Sequence, residues 1–297
     1  MAALGWIGLG DMGAPMAKRL LAAGHSLRVW ARNPDRLGAV CAAGATAVDS
    51  PRALAAQSDA VFVCVTDGKA VEAIAFGPDG IAAGAPAGTL VIDHSTIDPS
   101  TTRRAAERLG AAGVGWVDAP VSGGSAGAAA GTLACFLGGS DGDVARVRPW
   151  IAAYTENVTH MGPVGCGQIA KSCNQAIVGT TIALWVEVLH YARSCGIDPT
   201  LLVEALAGGW ADSTIRRAHG RALAEGRFTR APGNLLLKDL EIVGDLARET
   251  GSPMPVTSIV TTLYRLLVAQ GHASGGATAL VQLYAAQREP AAATTPL

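Results

Sequence analysis

The sequence predicts an α/β fold in two parts, in which a parallel sheet flanked by helices is followed by an all-helical region. The 297 residues suffice for two ordinary domains. Over about the first 160 residues, short apolar runs alternate with amphipathic or Ala-rich segments, as they do in βαβ units. After Met161-Gly162-Pro163, long stretches with helical spacing replace the strand-like runs. We therefore expect one domain over residues 1–162 and a second over residues 163–297.

Six apolar runs predict the strands of the first domain. The segments between them predict helices, several of which open with a proline at an early helical position. The predicted strands cover residues 4–8, 27–30, 60–65, 90–93, 115–119 and 134–137. The predicted helices of this domain cover residues 14–23, 34–42, 51–55 and 99–109.

The second domain is predicted to be helical throughout. Its longest helix, over residues 168–195, has no proline and is nearly continuously apolar, so we expect it to be buried on most sides within a bundle or a dimer. Further helices are predicted over residues 199–207, 213–224, 235–249, 256–270 and 278–287, and residues 290–297 are expected to be frayed.

Composition excludes several classes of protein. Hydrophobic residues make up 49% of the chain and charged residues 16%, which argues against disorder. The formal charge of -1 lacks the basic excess that a nucleic-acid partner needs. The mean hydropathy is +0.30, but the most apolar stretch, residues 176–192, carries Glu187 and His190, so no transmembrane helix is predicted. The first residues lack the basic start of a secretory signal, and we expect a cytoplasmic protein.

The six cysteines predict neither a disulfide framework nor a metal site. They are scattered, without a C-x-x-C pair or a histidine cluster at zinc-ligand spacing. Asp98 and Asp118 also have no histidine or cysteine at ligand spacing. We expect reduced thiols and no bound metal.

A glycine motif follows the first predicted strand and opens the first predicted helix. Gly8-Leu9-Gly10-Asp11-Met12-Gly13 has the pattern G-x-G-x-x-G. The first two glycines permit a tight turn and the close approach of a pyrophosphate, and the third lets the helix pack against the strand. The helix N-terminus attracts the anion. A plain glycine-rich turn is the alternative, but the strand and helix context predicts a Rossmann-type dinucleotide-binding domain.

The residues after the second predicted strand indicate which dinucleotide is bound. A cofactor with a free ribose 2′-hydroxyl calls for Asp or Glu at this strand end, where the chain instead has Ala31 followed by Arg32-Asn33. Arg32 and Arg36 could flank a 2′-phosphate with their planar guanidinium groups. The pattern favours NADP over NAD. The alternative is a solvated pair of arginines, with Asp35 capping the next helix.

Two further motifs could bind and transform a substrate. Ser122, Gly123 and Gly124 place a hydroxyl beside consecutive backbone N–H groups, which can hold a carboxylate; a simple turn between two strands is the alternative. Lys171 is one of only four lysines and lies on the long apolar helix. Burial would bring its pKa towards the range useful for proton transfer, whereas a lysine reaching out to solvent is the alternative.

Three other side chains complete the candidate site. Asn174 and Gln175 stand three and four residues after Lys171 and therefore share its helix face. Lys238 could reach a cofactor phosphate or a substrate carboxylate. His94, at the end of a predicted strand, is a rival acid or base, but no partner that would orient it can be predicted, so it ranks below the lysine.

Four ordered motifs together resemble the β-hydroxyacid dehydrogenase family. They are the glycine turn at residues 8–13, Asp118-Ala-Pro-Val-Ser-Gly-Gly124, Gly167-x-x-x-Lys171-x-x-Asn174 and Lys238-Asp239, and they span nearly the whole chain. The resemblance implies a Rossmann domain, an all-α C-terminal domain and an active site in the cleft between them. It also implies a catalytic role for Lys171, a carboxylate loop at residues 122–124 and contacts to NADP from Arg32. Further cofactor contacts are implied for Val65, Thr66, Asp67, Ser95 and Thr96.

The resemblance also implies the reaction, which interconverts a small 3-oxo acid and its 3-hydroxy acid. The Asn174-Gln175 pair is similar to the branch that reduces tartronate semialdehyde to glycerate, and this is the expected reaction. Ala231 and Gly275-Gly276 depart from patterns common in the family. The alternatives are a 3-hydroxyisobutyrate, 4-hydroxybutyrate or glyoxylate-type enzyme, an imine reductase, which would be expected to lack the lysine, and a non-catalytic dinucleotide-binding module. We expect a homo-oligomer, either a dimer or a tetramer, because the long helix is too apolar to leave in water.

Overall fold

The chain divides into two units, Met1–Lys171 and Ser172–Leu297. The computed structural model describes residues 2–228 and 235–287. The division falls inside a helix that begins at Cys166, a few residues after the predicted boundary between residues 162 and 163. That boundary stays a prediction. Ala231 and the expected frayed tail lie outside the described residues.

A mainly parallel sheet forms the centre of the first unit. Within the described residues it has nine strands: β1 (Leu4–Ile7), β2 (Leu27–Trp30), β3 (Thr46–Ala47), β4 (Ala60–Val63), β5 (Leu90–Asp93), β6 (Gly115–Asp118), β7 (Val121–Ser122), β8 (Leu133–Gly138) and β9 (Thr155–Gly162). Their order is β3-β2-β1-β4-β5-β6-β8-β7, and β9 pairs with β8. Strands β1 to β6 pair in parallel, whereas β8 runs antiparallel to β6 and β7.

Helices cover both faces of this sheet. They are α1 (Gly13–Ala22), α2 (Gly38–Cys41), α3 (Pro51–Ala55), α4 (Gly68–Phe76), α5 (Pro99–Gly110), α6 (Gly124–Ala130) and α7 (Asp141–Ile151). Because side chains alternate along a strand, neighbouring residues of β1 enter different cores. Trp6 packs in the core that contains Met16 of α1, and Ile7 packs in the core that contains Leu109 of α5. The central strands are therefore buried on both faces, as their continuous apolar runs predict.

The second unit is helical, as predicted. Its helices are α8 (Cys166–Ser194), which begins in the first unit, α9 (Pro199–Ala205), α10 (Arg221–Ala224), α11 (Leu235–Thr250) and α12 (Pro255–Ala269), with a π-helical turn at Arg216–Gly220. Their apolar sides enclose a core around Tyr264, Leu240 and Leu280. No helix among the described residues is long and apolar enough to cross a membrane.

Two helix predictions need correction. The helix predicted over residues 34–42 is divided into a 3-10 turn, Pro34–Arg36, and the short α2, because the Asn33 side chain accepts the backbone N–H of Asp35 and closes a tight turn. The final predicted helix is 3-10 rather than α, over Ala277–Gln287. The long helix α8 is buried on most sides, as predicted, and one of its faces carries exposed apolar side chains.

Candidate active site

The glycine turn lies between β1 and α1, where the strand order reverses between β1 and its neighbours β2 and β4. Ligands of open α/β sheets bind at this position. Gly8 has φ +95°, and a Cβ there would lie 2.2 Å from the Cys64 carbonyl oxygen. A Cβ at Gly13 would lie 2.0 Å from the Gly8 carbonyl oxygen. Only glycine fits at these two positions.

The turn also fits a dinucleotide. A Cβ at Gly10 would meet no atom within 4 Å, so the turn presents bare backbone to open space there. No side chain caps the N-terminus of α1. The positive end of the helix dipole therefore lies at the turn without a side-chain partner. This arrangement suits a pyrophosphate.

Arg32, Asn33 and Arg36 follow β2, on the segment next to this turn, and all three are exposed. Arg36 forms an ion pair with Asp11 of the glycine turn, with 3.6 Å between Nη1 and Oδ1. Asn33 Oδ1 accepts the backbone N–H of Asp35 at 3.0 Å. Asn33, not Asp35, therefore caps the turn that follows, and Arg36 is tied to the candidate phosphate site.

The segments after β4 and β5 meet at the same edge of the sheet. The backbone N–H of Val65 donates to Ser95 Oγ at 3.0 Å, which joins two of the predicted cofactor segments. Asp67 caps α4 by accepting the N–H of Ala70 at 2.9 Å. Thr66 donates its hydroxyl to Asp67. The Asp67 carboxylate therefore acts as a helix cap in this arrangement.

Helix α8 is anchored at its start by a buried carboxylate that the sequence motifs do not mark as a site residue. Asp118, at the end of β6, accepts the backbone N–H of Gly165 at 2.7 Å and that of Gln168 at 2.9 Å. Burial raises the pKa of Asp118 to about 6, although these backbone hydrogen bonds oppose the rise. A carboxylate at a helix start also complements the helix dipole. Asp118 therefore fixes where α8 begins relative to the sheet.

Gln168 makes the second attachment. Its Nε2 donates to the Ser95 carbonyl oxygen at 2.8 Å, and its Oε1 accepts the backbone N–H of Ile97 at 3.2 Å. Gln168 is fully buried. The first turn of α8 is thus held to the ends of both β5 and β6, and Lys171 lies less than one turn after Gln168. Lys171 is itself buried, with 7% of its surface exposed.

The predicted carboxylate loop follows β7. Gly123 has φ +135° and Gly124 has φ +66°. Residues other than glycine rarely adopt these backbone conformations. A Cβ at Gly123 would also lie 2.9 Å from the Leu133 side chain. The two glycines are therefore required by the backbone, and they open α6.

In the second unit, four polar side chains connect α8 with α11. Asn174 Nδ2 donates to Gln175 Oε1 at 2.8 Å, and Gln175 Nε2 donates to Asp239 Oδ2 at 2.5 Å. Lys238 Nζ lies 3.0 Å from Asp239 Oδ1. Asp239 is buried and contacts two predicted site residues, Gln175 and Lys238. The Lys238-Asp239 motif includes this aspartate, but the sequence predicts a site role only for the lysine.

The local packing explains why residue 275 is a glycine. A Cβ at this position would lie 2.2 Å from the Cβ of Ala279, so the departure from the family pattern accompanies a close approach of the backbone. Gly276 has φ +64°.

The rival acid–base residue, His94, is buried beside the core that contains Trp6. Its Nδ1 lies 2.6 Å from the Ala119 carbonyl oxygen and its Nε2 lies 2.9 Å from the Tyr154 hydroxyl. Burial lowers the pKa of His94 to about 4, against a smaller opposing effect of the Ala119 carbonyl. Both ring nitrogens are thus occupied by the core, and the imidazole is neutral at pH 7. His94 follows β5 at the same edge of the sheet as the glycine turn, but its ring is buried against Trp6.

No group of three potential metal ligands occurs among His, Cys, Asp and Glu of residues 2–228 and 235–287.

Comparison with known families assigns both halves of the chain. Residues 3–162 match the profile described as the NAD binding domain of 6-phosphogluconate dehydrogenase. Residues 165–284 match the profile described as NAD-binding of NADP-dependent 3-hydroxyisobutyrate dehydrogenase. The chain belongs to the β-hydroxyacid dehydrogenase family. The expected Rossmann domain and helical C-terminal domain are confirmed.

Members of this family align with the chain over nearly its whole length. The 2-hydroxy-3-oxopropionate reductase of Escherichia coli is 37% identical over 284 residues, which cover 94% of this chain and 96% of that protein. The NAD-dependent L-serine dehydrogenase of Pseudomonas aeruginosa is 34% identical over 295 residues, covering 96% and 98%. The solved 3-hydroxyisobutyrate dehydrogenase of Mycobacterium tuberculosis with L-serine superimposes with a TM-score of 0.83 at 29% identity, covering 96% and 99%. The chain is thus an NAD(P)-dependent β-hydroxyacid dehydrogenase.

Proposed function

We propose that this dehydrogenase uses NADP to interconvert a small 3-oxo acid and its 3-hydroxy acid, with tartronate semialdehyde and glycerate as the pair. The observation that carries the proposal is the burial of Lys171 on a helix whose first turn is fixed by Asp118 and Gln168. The similarity to a 2-hydroxy-3-oxopropionate reductase supports the substrate, because this name denotes tartronate semialdehyde.

Lys171 acts in this proposal as the proton donor in the reductive direction. When bound, the nicotinamide supplies the hydride that reduces the carbonyl carbon. The Lys171 ammonium donates a proton to the carbonyl oxygen as negative charge develops on it, and a positive charge aimed at that atom stabilises the transition state more than the ground state. In the oxidative direction the neutral amine accepts the same proton. Burial keeps water from competing for this hydrogen bond.

The carboxylate of the substrate is held by Ser122 and the backbone N–H groups of Gly123 and Gly124. This set binds an anion without a charged side chain. Asn174 and Gln175 orient the lysine and the substrate, and their amides are themselves positioned by the hydrogen bonds that lead to Asp239. The three groups on α8 share one helix face because they are spaced by three and four residues.

The cofactor is held by the glycine turn, residues 8–13, and by the segments at Val65–Asp67 and Ser95-Thr96. We assign binding of the 2′-phosphate to Arg32, Asn33 and Arg36. The end of β2 lacks the carboxylate that binds a free ribose 2′-hydroxyl in NAD-binding domains. The pairing of Arg36 with Asp11 supports this, because it keeps a guanidinium beside the turn. Lys238 contributes a further positive charge to the bound anions.

The enzyme works as a homo-oligomer, a dimer or a tetramer, through the exposed face of α8. Ile177, Leu184 and Tyr191 are spaced by seven residues and are 68%, 56% and 69% exposed. Residues at this spacing form one stripe along a helix. An aligned apolar stripe of this kind marks a protein–protein contact. A second copy of the chain is the partner that we propose for it.

Oxidation of L-serine is a second candidate. One relative is named an NAD-dependent L-serine dehydrogenase, and one similar structure carries L-serine. L-Serine has the same arrangement of a C3 hydroxyl and a C1 carboxylate as the proposed product, so the same lysine and carboxylate loop could serve it.

A substrate panel tests the proposal. The purified enzyme is assayed at 340 nm with NADPH or NADH and each of tartronate semialdehyde, methylmalonate semialdehyde, succinate semialdehyde and glyoxylate, and with NADP⁺ or NAD⁺ and L-serine. We expect the highest kcat/KM for tartronate semialdehyde with NADPH. If the enzyme prefers another semialdehyde, the assigned substrate changes, but the proposed mechanism stands. Turnover of L-serine with NAD⁺ above all the others would favour the second candidate.

A further inference from the structure

We propose that Trp6 is a positioning residue for the dinucleotide site, because its indole N–H holds the carbonyl oxygen of Gly8 and so orients the first peptide of the glycine turn. The inference rests on the proposed role of this turn in cofactor binding. Trp6 lies on β1, two residues before the motif, and the motif does not include it.

The indole makes one direct hydrogen bond to the turn. Trp6 Nε1 donates to the Gly8 carbonyl oxygen at 3.0 Å, and the Trp6 side chain is completely buried. On its other side, this oxygen lies against Gly13, where a Cβ would approach it to 2.0 Å. The backbone N–H of Gly8 donates to the Trp30 carbonyl oxygen at 3.2 Å. The Gly8 carbonyl is therefore confined between an indole and the start of α1.

Confinement of this carbonyl sets the direction of the next N–H group. The peptide unit is planar and trans, so the C=O of Gly8 and the N–H of Leu9 point in opposite directions. An oxygen held against the Trp6 indole therefore turns the Leu9 N–H away from that indole. A backbone N–H that is already oriented binds an anion at a lower entropic cost than one that must first be ordered.

The indole ring is itself fixed by aromatic neighbours. The Phe62 ring lies at 5.3 Å and 11° to it, and the His94 ring at 5.6 Å and 22°. Tyr154 packs edge-on at 6.0 Å and donates its hydroxyl to the neutral His94. Phe62 comes from β4, where it is in register with Trp6. Three rings from separate segments thus hold the indole N–H in one place.

Packing alone does not account for the choice of tryptophan. Phenylalanine would also fill much of this core and stack on Phe62, but it has no N–H and would leave the Gly8 oxygen without this donor. The two roles of Trp6 therefore separate experimentally: loss of packing lowers stability, whereas loss of the N–H weakens pyrophosphate binding.

The test compares Trp6→Phe with the wild type by isothermal titration calorimetry and steady-state kinetics. We expect the Kd for NADPH to rise about 3- to 10-fold, the range for losing one net hydrogen bond. The KM for NADPH should rise with it, while kcat at saturating NADPH stays within about twofold. Adenosine 2′-monophosphate, which lacks the pyrophosphate, should bind with an unchanged Kd.

Two further proteins keep the test decisive. Tyr154→Phe removes a hydroxyl from the same aromatic cluster but leaves the turn untouched, so it should lower the melting temperature without changing the Kd for NADPH. Replacement of Trp6 by 3-benzothienylalanine keeps the bicyclic shape and exchanges the N–H for sulfur. It should fold as the wild type does and show the same rise in Kd as Trp6→Phe.

An unchanged Kd for NADPH in the benzothienylalanine protein would overturn the proposal. An equal loss of affinity for adenosine 2′-monophosphate would also overturn it, because the effect would then not be local to the pyrophosphate. If the wild type binds NADH instead, the assignment of NADP fails on its own, and the comparison is made with NADH and adenosine. A wild type that binds no dinucleotide would refute both the cofactor site and the role of Trp6.

Discussion

Replacing His94 tests whether this residue is a neutral imidazole buried against Trp6 and Phe62. The ring is held between the Ala119 carbonyl and the Tyr154 hydroxyl, and it stacks on Trp6 and Phe62. Burial lowers the pKa of His94 from 6.5 to about 4 in the folded chain. In the unfolded chain His94 has its ordinary pKa. Between these two values the unfolded state binds a proton that the folded state does not, so the folded state loses stability as the pH falls.

The size of this effect follows from the two pKa values. One pKa unit corresponds to about 1.4 kcal/mol, so the full difference destabilises the fold by about 3 kcal/mol at pH values below 4. At about pH 5 the loss is already about 2 kcal/mol, and above about pH 7 it is negligible. Asp118 works in the opposite direction, since burial raises its pKa to about 6 and the folded state therefore takes up a proton first. The comparison must therefore isolate His94.

His94→Gln achieves this, because the Asp118 contribution is common to both proteins. The free energy of unfolding is measured by urea denaturation at about pH 7.5 and about pH 5 for the wild type and the variant. The variant is expected to be less stable at the higher pH, because it loses the ring stacking, and the gap should shrink by about 2 kcal/mol at the lower pH. It should also keep most of the kcat. An identical gap at both pH values would show that His94 is not a buried neutral group, and loss of turnover in a folded variant would restore it as the rival acid.

Two further predictions concern the cofactor and the assembly. Arg32→Ala should raise the Kd for NADPH about tenfold or more and leave the Kd for NADH unchanged, since the lost charge-assisted hydrogen bond serves only the 2′-phosphate; an equal effect on both cofactors would contradict this. Leu184→Asp, at the centre of the exposed stripe of α8, should shift sedimentation towards the 30.0 kDa monomer, whereas a wild type that is already monomeric at micromolar concentration would refute the proposed interface.

Local patterns predict much of the first unit. Short apolar runs predict the strands β1, β2, β4, β5, β6 and β8. Of these, β1, β4 and β5 are buried on both faces. The two-residue strands β3 and β7 are too short to show a period. Strand β9 was not predicted because much of its sequence, Thr155–Gly162, is polar, and its burial alternates at an edge beside β8. Helices α4, α6 and α7 are also absent from the predicted helices, although Asp67 gives the signal of a helix cap for α4.

Within the candidate site, sequence motifs identify the residues whose backbone or chemistry is unusual. The glycine turn, the carboxylate loop and Lys171 are of this kind. The supporting side chains depend on tertiary contacts: Asp118 meets the start of α8 some 50 residues later in the chain, and Gln168 reaches back to Ser95. No local pattern encodes such pairs. The same holds for His94 and Tyr154, because the fold alone brings His94 Nε2 to 2.9 Å from the Tyr154 hydroxyl.

The kcat of Lys171→Ala at saturating NADPH and tartronate semialdehyde tests the central claim most directly. A positioned proton donor contributes about 10²- to 10⁴-fold, so kcat should fall by at least about 100-fold while the Kd for NADPH is unchanged. Lys171→Arg should not restore activity, because the guanidinium remains protonated and its planar fork has a different geometry. Near-normal turnover of folded Lys171→Ala, with NADPH bound as tightly as in the wild type, would contradict the role of Lys171.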